Sequence, residues 1–474
     1  MLAFMIAAPA SGTGKTAVTC GMLELLNRKG LSPAAFKCGP DYIDPMFHRS
    51  VMGMESHNLD LFLSDEDAVR AMFDRYRTGH DAVVCEGVMG YYDGVGGTTL
   101  QASAWHAART LGIGTILVIR PKGASLTLAA QILGLAEFAE RQKVQSGDSG
   151  GRIAGVILND CPPMLYRTLA PMLEERTGIP ILGYLPHMEE AVFESRHLGL
   201  HTAGEIHDLK ERIGRIADRM EETIDLDRLC SLYQIPDIAC ANDRISVSRL
   251  PETCGKEIRI AVARDEAFCF FYEEGLDLLR DAGAEICWFS PLHDAKLPEG
   301  IHALYLTGGY PELYVRELSE NHTMRESVAS AVRNGLPAIA ECGGFLYLGQ
   351  ELADENGIFY PQAGVLPGTA EKKERLVRFG YAHLHPKEDS MLFRSGEAVP
   401  IHEFHYWDST KNGTALRAVK PVSGRSWECG FVSETMYAGF PHLYFAGMPE
   451  LAERFLNAAA KQRRLCYDSK RRMP

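Results

Sequence analysis

Two α/β domains in tandem, each a mostly parallel sheet with helices on both faces, are what this sequence predicts. Three observations carry that expectation. Apolar runs of strand length alternate with helical runs through residues 2–158, and the same pattern restarts at residue 258. A glycine-rich loop ending in Gly14-Lys15-Thr16 separates the first strand from the first helix. A Cys342-Gly343-Gly344 turn stands in the equivalent strand-to-helix position in the second half. At 474 residues the chain is too long for one ordinary core. It fits two domains of roughly 200 to 250 residues each.

Residues 2–7 read as a first buried strand, and 15–27 as the helix after it, closed by Lys29-Gly30. Further strands are expected at 32–37, 81–86, 113–119 and 153–158, with helices at 65–77 and 126–141. Strands this apolar, joined through helices, belong to a parallel sheet covered on both faces. The Gly/Ser-rich run 145–151 reads as a surface loop, 208–228 as charged helix and 236–256 as irregular. Strands resume at 258–263, 285–289, 303–306 and 338–340. The expected division is a domain over 1–245, a linker over 246–257, a domain over 258–462 and a basic tail over 463–474.

Net charge is −13, from 49 Lys and Arg against 62 Asp and Glu, which argues against non-specific nucleic-acid binding. It leaves room for small anions, because a local lysine and a glycine loop can hold phosphate inside an acidic protein. The 12 cysteines are scattered without a C-x-x-C pair, so they read as reduced, apolar residues rather than zinc or redox motifs. Residues 1–10 are apolar but lack a basic leader segment and run straight into the glycine loop, so they read as a strand, not a signal peptide. No apolar run reaches the roughly 18 to 20 residues a membrane helix needs. The expected location is the cytoplasm, with no nucleic-acid or membrane partner.

The segment Ala8-Pro9-Ala10-Ser11-Gly12-Thr13-Gly14-Lys15-Thr16 has the strand–loop–helix setting of a phosphate loop, with Pro9 where the strict pattern has glycine. Gly12, Thr13 and Gly14 would let backbone N–H groups wrap phosphate oxygens at the helix N-terminus. Lys15 would neutralise the β- and γ-phosphates, and the Thr16 hydroxyl would ligate Mg²⁺. Mg²⁺ also wants carboxylates. Asp41 and Asp44 lie in a proline-bounded loop after a strand, Glu86 ends another strand, and Asp93 follows it. All fall at the carboxyl edge where parallel sheets bind ligands. Thr16, Asp41 and Glu86 are the expected metal ligands. Lys37, Asp41, Tyr42, Asp44, Glu86 and Asp93 are the expected substrate and activation residues, with the division among the acids left open.

Residues 337–344 form a strand running into a glycine turn before a helix, a nucleophile-elbow layout with Cys342 in the serine position. The turn would expose the sulfur, and the helix N-terminus would favour its thiolate. Gly343 would turn its N–H toward a developing oxyanion, joined by Gly308 and Gly309 from another turn after a strand. The base must be a histidine distant in sequence. His442 is the best placed, His402 and His405 compete, and spacing does not choose among them.

Together these segments resemble the cobyrinate a,c-diamide synthase family. The resemblance runs collinearly from about residue 3 to 457, through APASGTGKT, FKCGPDYIDPMFH, NLDLF, EGVMGYYDG, RHLGL, VARDEAFCFFY, LTGGYPEL, AECGGFLYL, HEFHY and FPHLYF. KCGPDYIDP and ARDEAFCFFY are far more specific than a phosphate loop alone. The resemblance implies an N-terminal P-loop domain similar to dethiobiotin synthetase and a C-terminal class I glutamine amidotransferase of the cobyric-acid-synthase type. It implies Cys342 as nucleophile and His442 as base. The Pro-Glu that follows the base in ordinary class I enzymes is missing here, as in the family. The family's Ser-Tyr-x-His becomes Gly439-Phe440-Pro441-His442.

The implied reaction is ATP- and glutamine-dependent amidation of the a and c carboxylates of cobyrinate, with Mg²⁺ as cofactor. The implied partners are ATP, glutamine and a corrinoid or related tetrapyrrole acid, and the assembly considered is a homodimer. Hydrogenobyrinate or a nickel sirohydrochlorin would serve the same chemistry. A P-loop switch ATPase is the reading from another class, but Cys342 and its elbow have no purpose in it.

Overall fold

The computed structural model describes residues 1–142, 150–191, 203–236 and 256–471. Residues 145–149, 196–200 and 237–255, part of the expected loop, the RHLGL segment and most of the irregular stretch, lie outside them. The chain divides into two compact units, Met1–Val247 and Ser248–Pro474. Among the described residues no helix is long and apolar enough to cross a membrane.

The first unit is built on seven parallel strands, β1 (Leu2–Ala7), β2 (Pro33–Cys38), β3 (Ser56–Leu59), β4 (Ala82–Glu86), β5 (Gly114–Ile119), β6 (Ile153–Asn159) and β7 (Ile181–Leu185). Their order is β3-β2-β4-β1-β5-β6-β7. Phe4, Ile6, Val84, Ile116, Val118 and Ile157 form one face of the core with Val18, Met22 and Leu25 of the helix α1 (Lys15–Arg28). Each such side chain contributes about 1.5–3 kcal/mol when fully buried. Gly21 lets α1 pack tightly on the helix Ala203–Thr223: a Cβ there would lie 2.6 Å from Ile216 Cγ2. The sheet therefore holds the carboxyl ends of β1, β2, β4, β5 and β6 along one rigid edge.

Two of these strands, β3 and β7, are not in the sequence expectation. β3 reads Ser-His-Asn-Leu, with no apolar signature, yet all of it is buried. Each of its polar side chains has a local partner. Asn58 donates to the carbonyls of Gly39 and Asp41, His57 stacks on Tyr76 at 3.5 Å, and Ser56 lies 3.1 Å from His48 Nδ1. β7 is interrupted by Gly183, at which a side chain would run into the backbone around Thr223.

The second unit has a six-stranded sheet in the order Glu285–Phe289, Arg259–Ala263, Ala303–Leu306, Ala338–Glu341, Met436–Gly439, Phe431–Val432. It is parallel except for the final pair. Two four-stranded sheets extend it, which the sequence reading did not foresee. One of them is antiparallel throughout: Val399–His405, Arg378–Pro386, Leu416–Val419, Ser426–Cys429. Its inner residues Ala382, Leu384, Val399 and Ile401 pack with Ile260, Val262 and Ile339 of the parallel sheet and with Leu451 and Phe455. Leu451 and Phe455 belong to the last helix, Pro449–Arg471, which runs on into the basic stretch expected as a tail.

Candidate active sites

The phosphate loop joins β1 to α1. Gly14 has φ 96° and ψ 25°, and a side chain on it would run into Asn159. That position therefore needs glycine. Asn159, at the end of β6, donates to the Thr13 carbonyl at 2.8 Å, and Arg120, just past β5, donates to the Gly12 carbonyl at 3.2 Å. Arg120 is itself paired with Asp160 at 2.5 Å, and His187 Nδ1 lies 2.9 Å from the same carboxylate. The sequence reading missed these four residues. Their signal was position, since Arg120, Asn159 and Asp160 follow parallel strands on the phosphate-loop edge.

Lys15 is buried and donates to the Met89 carbonyl at 2.6 Å. Burial, with Lys37 adding to it, pulls its pKa down to about 8 against the carboxylates of Glu86, Asp44 and Asp93. Thr16 Oγ1 donates to Glu86 Oε1 at 2.8 Å. The parallel registers Ile6↔Glu86 and Lys37↔Glu86 set the distances, placing the end of β4 between the loop and Lys37. Lys37 Nζ donates to Glu86 Oε1 at 2.9 Å and to Asp44, and lies 3.7 Å from Asp41. Burial alone would lower the Lys37 pKa, but Asp44, Glu86 and Asp41 outweigh it and hold the amine well above its ordinary value. Burial raises Glu86 above the ordinary carboxylate range, with Lys37 opposing and Asp44 adding.

Asp41 Oδ1 accepts the N–H groups of Ile43 at 2.8 Å and Asp44 at 3.2 Å, starting the short helix Ile43–Phe47 just after Tyr42. Asp93 accepts from the Gly90 N–H at 3.1 Å and steadies the loop that carries the Lys15 acceptor. A cleft of about 500 Å³ opens over Gly12, Lys15, Thr16, Lys37, Asp41, Asp44 and Glu86, with Arg120, Asn159 and His187 on its far wall.

This donor set suits Mg²⁺. Glu86 Oε2 is buried with no donor on it among the described residues, beside the Thr16 hydroxyl. Four carboxylates surround two lysines. Among the described residues no three His, Cys, Asp or Glu side chains cluster as a metal cage. Mg²⁺ commonly takes one or two protein oxygens and completes its shell with phosphate and water.

In the second unit Cys342 follows the strand Ala338–Glu341 and starts the helix Gly343–Leu348, with φ 47° and ψ −100°. Such a conformation costs on the order of 1–3 kcal/mol and persists only where the surroundings impose it. Here they do: the Cys342 N–H donates to the Gly439 carbonyl at 2.8 Å, and a Cβ on Gly344 would strike the Leu306 carbonyl. A Cβ on Gly343 would lie 3.0 Å from the Gly309 nitrogen. The backbones of Gly343 and Gly309 thus converge beside the sulfur.

The strand pairing Glu341↔Gly439 brings His442, three residues on, to the same sheet edge as Cys342. His442 is buried, and its N–H donates to the His402 carbonyl at 3.0 Å. Gly308 makes room for it: a Cβ there would lie 2.6 Å from His442 Cε1. Gly308→Ala is therefore expected to displace the imidazole. Glutamine hydrolysis should fall by about 10- to 100-fold, less than the roughly 100- to 10,000-fold of complete general-base loss because the imidazole is displaced rather than removed, while thermal stability changes little. Steady-state glutamate release checks it. His405 is stacked flat on Phe440 at 3.7 Å and bonded to the Trp407 carbonyl, a packing role. His402 backs His442 through the backbone.

The structure corrects the expected charge state of Cys342. The helix N-terminus was to favour thiolate, and the Gly343 N–H does point that way. Burial and then Glu312 outweigh it, so the Cys342 thiol is pushed well up and stays neutral. Glu312 is raised to about 7 by its own burial. Sequence reading also missed Glu341. Its carboxylate is buried, accepts from Tyr305 and from the Leu443 N–H, both at 3.0 Å, and lies 3.6 Å from His442 Nδ1.

Residues 4–198 match the family model of the CobQ/CobB/MinD/ParA nucleotide-binding domain, and residues 259–449 that of the CobB/CobQ-like glutamine amidotransferase domain. The cobyrinate a,c-diamide synthase of Salmonella typhimurium is 36% identical over 97% of this chain and 98% of its own. That of Clostridium tetani is 36% identical over 96% and 100%, and that of Synechococcus sp. 38% identical over 96% and 98%. The chain belongs to the cobyrinate a,c-diamide synthase family.

Proposed function

We propose that this protein amidates the a and c carboxylates of cobyrinate, using ATP and the amide nitrogen of glutamine. The observation that carries the reading is the presence of both sites in one chain: a Lys15–Thr16–Glu86 phosphate site with Lys15 and Glu86 buried, and a Cys342 elbow with His442 just past the end of the neighbouring strand.

A carboxylate is a poor electrophile, and ATP converts it to an acyl phosphate with a good leaving group. The N–H groups of residues 12–16 would hold the phosphates, and Lys15 would offset charge on the transferring phosphoryl group. Thr16 and Glu86 would hold Mg²⁺, which supplies charge neutralisation at the phosphates when bound. Lys37 and Asp44, with Asp41 and Tyr42 beside them, would orient the substrate carboxylate.

At the other site Cys342 gives its proton to His442 as its sulfur attacks the glutamine carboxamide. The N–H groups of Gly343 and Gly309 would receive the oxyanion. His442 returns the proton to the departing ammonia, leaving a γ-glutamyl thioester that water cleaves to glutamate. A thiol held neutral until its substrate arrives is protected from adventitious alkylation and oxidation.

The activation step has its own test. Cobyrinate labelled with ¹⁸O in its carboxylates should pass one ¹⁸O to inorganic phosphate for each amide made. Phosphate free of label would refute carboxylate activation.

A further inference from the structure

Ordinary class I glutaminases place a carboxylate two residues after the base, and this chain has Tyr444 there. The structure supplies a carboxylate from the opposite direction. Glu341 is the last residue of the strand Ala338–Glu341, directly before the nucleophile. Strand alternation sends its side chain away from that of Ala340, toward Tyr305 and Leu443. Oε1 accepts the Leu443 N–H and Oε2 accepts the Tyr305 hydroxyl, each at 3.0 Å. The carboxylate is only 1% exposed. One of its clamps is thus the amide that follows His442 itself, so carboxylate and imidazole are held in a common frame.

Resting on the glutaminase reading above, we propose that Glu341 is the positioning residue for His442, replacing the carboxylate that other enzymes carry after the histidine. The separation of 3.6 Å to Nδ1 is an ion-pair distance, a few tenths of an ångström longer than a hydrogen bond. Catalytic contacts of this kind shorten when substrate is bound. A carboxylate on Nδ1 keeps the proton there, leaves Nε2 free to take the thiol proton, and stabilises the imidazolium that results. The same carboxylate raises the cost of forming an anion on the adjacent sulfur, so thiolate appears only together with imidazolium.

The test is the glutaminase reaction of the full chain. Tyr305 and Tyr437 face the Glu341 carboxylate, and His402 and His405 face His442, so the pH profile is measured against theirs. Glu341→Gln is expected to lower kcat for glutamine hydrolysis by about 100-fold or more, with KM for glutamine within about threefold. Ammonia-driven amidation should be unchanged. The acidic limb of kcat/KM should move to lower pH, because the imidazolium has lost its counter-charge. A residue that merely filled space would not move that limb. Glu341→Asp, which keeps the charge one methylene shorter, should turn over at least about tenfold faster than Glu341→Gln.

Turnover by Glu341→Gln within threefold of wild type, with the limb unmoved, overturns the proposal. If that variant does not fold, Tyr305→Phe decides. It frees one carboxylate oxygen from its clamp and should cost at least about fivefold in glutamine turnover with ammonia-driven synthesis intact; equal turnover overturns the proposal. Wild-type protein that releases no glutamate would instead remove the glutaminase reading itself.

Discussion

Cys342→Ala should lose at least about 10,000-fold in glutamine-dependent amidation and keep full amidation with an ammonium salt. On the proposed mechanism the Cys342 sulfur forms the covalent intermediate, and alanine has no group to take its place. Cys287 and Cys429 lie on other strands, and Cys269, on the strand that pairs with Gly308–Gly309, does not occupy the elbow turn. Alanine keeps the backbone and the Gly343 N–H in place, so the unit should still fold. Parallel assays of glutamate release and of amide formation from ammonia check both halves. Retained glutamine-dependent turnover would show that another residue is the nucleophile.

Lys15→Met should give the opposite pattern: amidation lost by about 1,000-fold or more with either nitrogen source, and glutamine hydrolysis intact. The direction of its stability effect is unusual. Burial lowers the Lys15 pKa from 10.5 to about 8. The folded state therefore binds fewer protons than the unfolded state between those values, and stability rises with pH across that window. Below pH 8 the full cost of holding the charge is present, on the order of 3 kcal/mol. Lys15→Met removes that cost, so the nucleotide-free variant should melt higher than wild type at pH 7, and the gain should vanish above pH 10.5. Calorimetry at both pH values measures it. A variant that melts lower at pH 7 would mean that the Met89 carbonyl bond outweighs the burial of charge.

Both sites were legible as contiguous motifs. The glycine loop and the Cys342 turn each place backbone geometry and chemistry within a few residues, and each lies between a strand and a helix as expected. What escaped depends on contacts between distant segments. Glu341 meets His442 only because the strand ending at Glu341 pairs with the one that ends at Gly439, three residues before the histidine. Asn159 and Arg120 support Gly12 and Thr13 from the ends of β6 and β5. β3 escaped because its buried residues are polar and partnered locally. The antiparallel strand Val399–His405 escaped because His402 and Glu403 break its apolar alternation, although both are buried. The state of the Cys342 thiol was misjudged because local turn geometry showed the helix N-terminus and hid the burial and Glu312.

Nitrogen freed at Cys342 should end on a carboxylate activated over Lys15. Mass spectrometry of the product from cobyrinate, ATP and glutamine labelled with ¹⁵N in its amide follows that nitrogen. The predicted product carries labelled nitrogen in both new amides and does not form when ATP is withheld. Glutamate and ADP accumulating while cobyrinate is recovered unchanged would contradict this transfer.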